Sequence, residues 1–281
     1  MTGYEIGLYE KALPISLSWE EKFAAVREFG YDWLEISIDE TDRKLSRLDW
    51  PQERLQKLRK WMINSGVPIK TMCLSGHRKY PLGSENPATL ERGLDIMKKA
   101  VDFAAELGLR IIQTAGYDEY YNESNAKTKA IFENSYVKSV EFAAKAGVTL
   151  AFETMETPFM NTVGKALDFI KKIDSPWLQI YPDMGNITNA TVAEGKSPLD
   201  DLLSGKGHIS AVHLKESKPG IFREVPFGEG HVDFEGLIKT SLDMGVRMFT
   251  TEFWYTEGQP TPWREWVGRH KTFIDKIFAK I

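Results

Sequence analysis

Short β-like runs alternate with longer amphipathic helical patterns along the whole chain, and this alternation restricts the fold more than any other feature. Each run is rich in Ile, Val, Leu, Phe or Tyr, as buried strands are. The predicted strands are YEIGLY (4–9), DWLEISI (32–38), VPIKTMCL (67–74), LRIIQTA (109–115), VTLAFE (148–153), WLQIYPD (177–183), HISAVHL (208–214) and VRMFTTEF (246–253). Repeated strand–helix units imply a parallel sheet with right-handed crossovers, so the expected fold class is α/β.

The segments between the strands carry the start and stop signals of helices. Ser18 is a predicted N-cap, and a second helix is expected to open at Pro51 and to stop at Gly66. The sixth crossover is the weakest, with one short helix near PLDDLLSG. Eight such units predict a single (β/α)8 TIM barrel domain over residues 1–281. A doubly wound open sheet is the alternative, but the sequence lacks the Gly-rich fingerprint that often follows its first strand.

The composition is that of a globular protein and argues against several classes of function. Hydrophobic residues make up 42% of the chain and charged residues 27%. The net charge of −4 argues against a broad nucleic-acid-binding surface, which needs clustered Lys and Arg. We expect no signal peptide and no membrane span, because no apolar run approaches the required ~20 residues. Cys73 is the only cysteine, so we expect a reducing compartment, the cytoplasm.

Four consecutive predicted strands, the fifth to the eighth, end in an ionisable residue: Glu153, Asp183, His213 and Glu252. The C-terminal ends of barrel strands form the active site, and adjacent strands lie about 5 Å apart, so these side chains can converge. Singly, a Glu or Asp at a strand end would more often be a helix cap or a surface charge, and His213 would more often be a satisfied polar residue. Together they would repel and desolvate one another without a cation, so they predict a divalent metal site. Three carboxylates and one imidazole favour Mn2+, with Zn2+, Mg2+ or Co2+ as alternatives.

The motifs around these residues resemble the sugar epimerase branch of the xylose isomerase-like barrel superfamily: LAFETMETP, YPDMGN, VHLKES, VPFGEGHVDF and TTEFWY. The segments IGLYEKALP, SIDETDRKLSRLDW and CLSGHRKYPLGS extend the resemblance over nearly the whole chain and point to the L-ribulose-5-phosphate 3-epimerase family of L-ascorbate degradation. The resemblance implies that Glu153, Asp183, His213 and Glu252 bind one metal ion and that the two glutamates also act as acid and base. It further implies interconversion of L-xylulose 5-phosphate and L-ribulose 5-phosphate, and related epimerases suggest a homodimer.

Epimerisation at C3 of a ketose begins with removal of a weakly acidic proton that lies α to the C2 carbonyl. A metal ion would stabilise the developing enediolate as a Lewis acid. One carboxylate would take the proton from one face, and a second acid would return a proton to the opposite face. Glu153 and Glu252 are expected to flank the sugar, while Asp183 and His213 act as ligands alone.

Residues in the loops after the strands are predicted to contact the sugar phosphate: His77, Glu156, Asn186, Lys215, Arg223 and His231. Glu156 and Asn186 each lie three positions beyond a ligand, where a helix cap is the competing interpretation. For the two histidines, the alternative is a structural hydrogen bond. Lys215 and Arg223 bracket the seventh loop and rank first as phosphate ligands, ahead of the cluster formed by Arg43, Lys44 and Arg47. Ordinary surface charge is the alternative for these cations.

Other functions fit the same metal site. A free-ketose 3-epimerase, an aldose–ketose isomerase or an inosose dehydratase would use similar ligands. A metal-dependent AP endonuclease of the same superfamily would need further His ligands, but the chain has five His and position 186 is Asn. A non-catalytic sugar-phosphate-binding protein would need no paired glutamates around the metal.

Overall fold

The computed structural model describes residues 3–281, and within them eight parallel strands form one curved sheet. The strands are β1 (Glu5–Tyr9), β2 (Trp33–Ile38), β3 (Ile69–Leu74), β4 (Ile111–Ala115), β5 (Thr149–Glu153), β6 (Leu178–Tyr181), β7 (Val212–Leu214) and β8 (Met248–Thr251). All eight predicted strands are confirmed, although β6, β7 and β8 are shorter than predicted. As a result, Asp183 and Glu252 lie just beyond the ends of β6 and β8.

The sheet closes on itself. Its strands are ordered β6-β5-β4-β3-β2-β1-β8-β7, and each neighbouring pair is parallel. Between β6 and β7, two isolated parallel bridges join Ile180 to Ile209 and Asp183 to His213. The closed arrangement confirms the predicted (β/α)8 barrel and rules out the doubly wound open sheet.

Helices follow the strands in the predicted alternation. The α-helices of the described residues are α1 (Trp19–Glu28), α2 (Asp42–Leu45), α3 (Gln52–Ser65), α4 (Pro87–Leu107), α5 (Ala126–Ala146), α6 (Val163–Ile173), α7 (Met184–Ala193), α8 (Pro198–Ser204), α9 (Phe234–Asp243) and α10 (Trp263–Phe278). Ser18 caps α1 in a capping box with Glu21, as expected from the sequence. None of the helices within residues 3–281 combines the length and apolar character that a bilayer crossing needs.

The prediction for the sixth crossover was incomplete. The segment near PLDDLLSG does form α8, but it is preceded by α7, a full helix that begins directly after Asp183. Residues 184–191 of α7 are all buried, so the helix has no exposed polar face. Its sequence therefore shows little of the apolar periodicity by which surface helices are recognised.

The inner face of the barrel positions the site. Most buried apolar side chains form one large core cluster, while a separate small cluster joins Ile111 of β4, Ala151 of β5, Tyr181 of β6 and Ala211, which directly precedes β7. Successive residues of a strand point to opposite faces, so residues two positions apart share a face. Ala151, Tyr181 and Ala211 face the barrel interior, so Glu153, Asp183 and His213, each two residues further on, face it as well. They lie nearer to the C-terminal ends of the strands.

Candidate active site

The side chains at the C-terminal ends of β5 to β8 converge on one point. Glu153 ends β5, Asp183 follows β6, His213 lies in β7 and Glu252 follows β8. One potential ligand atom from each residue lies within 4.8 Å of the other three, and all four residues are buried. The structure thus brings together the four residues singled out by the strand ends, in an arrangement that could hold a metal ion; we call these four residues the ligand group.

Asp183 contributes its two carboxylate oxygens to different contacts. Oδ1 accepts a hydrogen bond from the backbone N–H of Asn186 at 2.7 Å and caps α7. Oδ2 lies 2.9 Å from Lys215 Nζ, within the ligand group. The backbone N–H of Asp183 donates to Thr154 Oγ1 at 2.9 Å, which fixes the start of the helix. The helix-cap and ligand interpretations therefore apply to different oxygens of one residue.

His213 lies between carboxylates on both sides of its ring. Nδ1 is 3.2 Å from Glu153 Oε1 and 3.1 Å from Glu252 Oε2. Nε2 is 2.7 Å from Oε1 of Glu35, a fully buried residue of β2. Sequence analysis missed Glu35 because an acid in the middle of a strand carries no strand-end signal. Within β2, the polar residues Glu35 and Ser37 alternate with apolar residues, and this alternation is the signal that could have found it.

Burial and like charge oppose ionisation within the ligand group. Burial raises the pKa of Glu153, and the Glu252 carboxylate raises it further. Burial also raises the pKa of Asp183 well above its usual range, although Lys215 opposes this shift. Burial would raise the pKa of Glu252 as well, but Lys215 and His213 lower it below its usual range. Lys215 offsets one of the three carboxylate charges, and a divalent cation would offset the other two.

The available donor atoms fit a divalent metal ion. Asp183 Oδ2 and Glu252 Oε2 are buried, and neither accepts a hydrogen bond of normal geometry from the residues that the structure describes. Such oxygens are costly to bury, and the one ammonium near them, Lys215 Nζ, lies 2.9 Å from Asp183 Oδ2 and 3.8 Å from Glu252 Oε2. Three carboxylates and one imidazole suit Mn2+, Zn2+, Mg2+ or Co2+. Cys73 lines the adjoining cavity but is not a member of the four-residue group.

A cavity beside the ligand group contains four of the six predicted substrate residues: Glu156, Asn186, Lys215 and Arg223. Arg223 Nη2 donates to Glu156 Oε1 at 2.8 Å. Lys215 Nζ donates to Asn186 Oδ1 at 2.8 Å, and Asn186 Nδ2 donates to the Thr154 carbonyl at 2.7 Å. These hydrogen bonds hold polar groups of opposite character around one space, which is suited to a small polyol.

The other two predicted substrate residues do not line this cavity. His77 Nε2 lies 3.1 Å from the Gly93 carbonyl oxygen, and burial lowers the pKa of its imidazole to about 4. His231 Nε2 lies 3.0 Å from Asn189 Oδ1. Contacts of His77 and His231 with substrate stay predictions, and the observed hydrogen bonds support the structural interpretation of both.

Near the end of β1, a second buried group surrounds one carboxylate with cations; we call it the basic cluster, formed by Glu10, Lys22, Lys44 and Arg47. Glu10 carboxylate oxygens lie 2.7 Å from Lys22 Nζ, 2.9 Å from Lys44 Nζ and 2.6 Å from Arg47 Nη1. Burial would raise the pKa of Glu10, but the three cations hold it well below its usual range. Burial lowers the pKa of Lys44 to about 8. The cluster carries more positive than negative charge.

The basic cluster adjoins the ligand group. Lys22 and Lys44 line a cavity to which Lys11 and Trp254 also contribute, and the last two residues line the cavity beside the ligand group as well. Arg43, predicted to act with Lys44, instead donates to an exposed backbone carbonyl 3.0 Å away. The predicted cluster of three cations is therefore divided, with only two of its members turned inward.

Comparisons with known proteins match this architecture over nearly the whole chain. Residues 23–276 match the family described as xylose isomerase-like TIM barrel. The L-ribulose-5-phosphate 3-epimerase UlaE of Escherichia coli O139:H28 (strain E24377A / ETEC) is 47% identical over 276 residues, which cover 98% of this chain and 95% of that protein.

Solved structures of sugar epimerases have the same fold. A structure of L-ribulose 3-epimerase superimposes with a TM-score of 0.80 at 18% identity, covering 99% of this chain and 95% of that one. D-Allulose 3-epimerase from Methylomonas sp., in complex with D-allulose, gives a TM-score of 0.76 at 18% identity and covers 97% and 96%. At such identities the likeness shows the fold alone. The family match and the 47% identity show that the chain belongs to the xylose isomerase-like TIM barrel family and, within it, to the family of the L-ribulose-5-phosphate 3-epimerases.

Proposed function

We propose that the protein is a metal-dependent 3-epimerase that interconverts L-xylulose 5-phosphate and L-ribulose 5-phosphate. The observation that carries the proposal is the approach of two carboxylates, Glu153 and Glu252, to the same nitrogen of His213, at 3.2 and 3.1 Å. The relative at 47% identity is named for this substrate pair's L-ribulose member, which supports the choice of sugar.

Inversion at C3 requires proton transfer on both faces of the carbon. Glu153 and Glu252 come from β5 and from the end of β8, which are separated by two strands, so each can face a different side of a sugar bound between them. One carboxylate must be ionised to accept the C3 proton, and the other must be protonated to return one. Asp183 and His213 complete the ligand set. A bound divalent ion, for which we favour Mn2+, would stabilise the negative charge that develops on the substrate oxygens.

Glu156 and Asn186 are the proposed contacts for the sugar hydroxyl groups. Both line the cavity beside the ligand group. The ion pair with Arg223 fixes the Glu156 carboxylate, and Lys215 and the Thr154 carbonyl fix the Asn186 amide. Polar groups held in place in this way lose little conformational freedom when a substrate binds, which favours recognition of one hydroxyl arrangement.

The 5-phosphate needs cations whose charge is not already balanced. Lys215 Nζ lies 2.9 Å from Asp183, and Arg223 Nη2 lies 2.8 Å from Glu156, so each already has a carboxylate partner. The basic cluster instead has three cations for one carboxylate and borders the same cavity system. We therefore propose Lys44 of the basic cluster as a phosphate ligand, with Lys215 and Arg223 closer to the sugar. Several charge-assisted bonds to phosphate contribute about 3–5 kcal/mol, or roughly 100- to 5,000-fold in specificity.

A substrate comparison tests the proposal. The Mn2+-loaded protein is incubated with L-xylulose 5-phosphate, L-ribulose 5-phosphate and the free ketoses fructose, psicose and tagatose, and products are identified by NMR. We expect reversible epimerisation of the phosphates and much lower kcat/KM on the free sugars. Equal or higher kcat/KM on a free ketose would overturn the phosphate specificity and favour a free-ketose 3-epimerase.

The homodimer and the cytoplasmic location stay predictions. Light scattering coupled to size-exclusion chromatography would measure the oligomeric state directly. Because related epimerases suggest a dimer, we expect a mass of twice the 32.0 kDa of the chain.

A further inference from the structure

Glu35 is a fully buried carboxylate inside the barrel, next to the ligand group. Its Oε1 lies 2.7 Å from His213 Nε2. Its Oε2 accepts hydrogen bonds from Thr71 Oγ1 at 2.5 Å and from the Tyr181 hydroxyl at 3.1 Å. The Tyr181 hydroxyl also lies 2.6 Å from Thr250 Oγ1. Side chains from β3, β6 and β7 therefore meet at this one residue of β2, and Thr250 of β8 is joined to it through Tyr181.

A carboxylate in this position is unusual for a barrel interior, which is generally filled by apolar side chains. Burying it costs several kcal/mol unless it is paired and hydrogen-bonded. Within residues 3–281, Glu35 makes no ion pair with Lys or Arg, and His213 is its ionisable partner. The hydrogen bond with the imidazole of a candidate metal ligand is thus what partners this buried carboxylate.

We propose that Glu35 is a positioning residue for the metal site: it accepts the Nε2–H of His213 and thereby directs Nδ1 toward Glu153 and Glu252. When Nε2–H donates to Glu35 Oε1 in this way, the Nδ1 lone pair is left for the metal. The ring of Tyr181 packs against the imidazole at 4.8 Å between centroids and limits its rotation. The inference rests on the metal dependence of the proposed function.

The test compares two substitutions inside the barrel, Glu35→Met and Gln113→Met. Gln113 of β4 is the matched control, because it is also fully buried and its side-chain amide has no hydrogen-bond partner among the described residues. Metal-free proteins are checked for folding by circular dichroism and titrated with Mn2+ by calorimetry. We expect Glu35→Met to weaken Mn2+ binding about 10- to 100-fold, as losses of such partners typically do, and Gln113→Met to leave it unchanged.

Glu35→Gln provides a second measurement, since its amide oxygen can still accept the Nε2–H. We expect a smaller loss of Mn2+ affinity than in Glu35→Met, and recovery of kcat in both variants at saturating Mn2+. Wild-type Mn2+ affinity in Glu35→Met and Glu35→Gln would overturn the proposal, and Glu35→Gln alone decides it if Glu35→Met does not fold. Failure of the wild-type protein to bind any divalent ion would instead overturn the proposed function.

Discussion

The ligand group and the basic cluster are buried to the same degree at the same end of the barrel, yet their charges are unbalanced in opposite directions. In the ligand group, three carboxylates share one lysine, Lys215. In the basic cluster, three cations share one carboxylate, Glu10. The two cavities that they border have Lys11 and Trp254 in common. A single elongated substrate could thus contact a site with excess negative charge at one end and a site with excess positive charge at the other.

Two buried glutamates show that neighbouring charges decide the direction in which burial leaves a carboxyl pKa. Burial acts to raise the pKa of Glu153 and of Glu10, but the first pKa is raised and the second is well below its usual range. The neighbours differ: a carboxylate, Glu252, lies near Glu153, whereas lysine and arginine side chains surround Glu10. Burial alone therefore does not distinguish a binding site from a structural ion pair. An excess of charge of one sign distinguishes the two, because the folded protein leaves that charge uncompensated.

Removal of a metal ligand should have the largest effect. We expect Asp183→Ala and His213→Ala to lose bound metal and epimerase activity together, because each leaves an incomplete ligand set. Metal content is measured by elemental analysis alongside turnover. Asp233→Ala is the matched control, since Asp233 also caps a helix, α9, by accepting a hydrogen bond from the Gly236 N–H at 2.9 Å. Full metal occupancy in both ligand variants would contradict the assignment of the ligand group.

Loss of either proton-transfer group should come next in size. We expect Glu153→Gln and Glu252→Gln each to lower kcat by about 10²- to 10⁴-fold, the usual range for general acid–base catalysis. Because the amide keeps one oxygen, both variants should retain more metal than Asp183→Ala. In D2O, the wild-type enzyme should incorporate deuterium at C3 of the ketose. Epimerisation without this exchange would argue against proton transfer by the two glutamates.

A smaller effect is expected at the basic cluster. Lys44→Met should lower kcat/KM for L-xylulose 5-phosphate about 10- to 150-fold, the value of one hydrogen bond to a charged group at ~1.5–3 kcal/mol, and leave kcat/KM for free L-xylulose unchanged. Arg43→Met is the control, because Arg43 is exposed and bonded to a backbone carbonyl. An equal loss on both sugars in Lys44→Met would place Lys44 outside the phosphate site.

The smallest effect concerns stability. The pKa of Lys44 is about 8 in the folded protein, below its ordinary value of 10.5. Between these values the unfolded chain binds more protons than the folded one, so the free energy of unfolding should rise with pH through this window. We expect urea unfolding at pH 7.5 and 9.5 to show a rise of about 1–2 kcal/mol in wild type that is missing in Lys44→Met. A parallel pH dependence in both proteins would contradict this account.

The sequence was most informative where a residue's role follows from its place along a strand. Glu153, Asp183, His213 and Glu252 could be found because equivalent positions on successive barrel strands lie side by side. Their convergence depends on strand order alone, and strand order follows from the repeated β/α alternation.

The sequence was least informative where a role depends on a partner far along the chain. Glu35 meets His213 across 178 positions, and Arg47 meets Glu10 across 37. Neither contact follows from the alternation that predicts the barrel, since it depends on side-chain directions across the interior. Likewise, nothing in the residue type of Lys215 or Arg223 reveals that each already has an acidic partner.

The junction between β6 and β7 links metal binding to the stability of the closed barrel. These two strands meet through isolated bridges instead of a continuous ladder, and one of the bridges joins Asp183 to His213. Two of the four residues that would hold the ion thus also close the barrel between β6 and β7. Metal binding should stabilise the junction between β6 and β7, because an ion that binds only the native state stabilises that state by mass action. Removal of the ion by a chelator should speed amide hydrogen exchange first along β6 and β7 and leave the ladders of β2 and β3 protected.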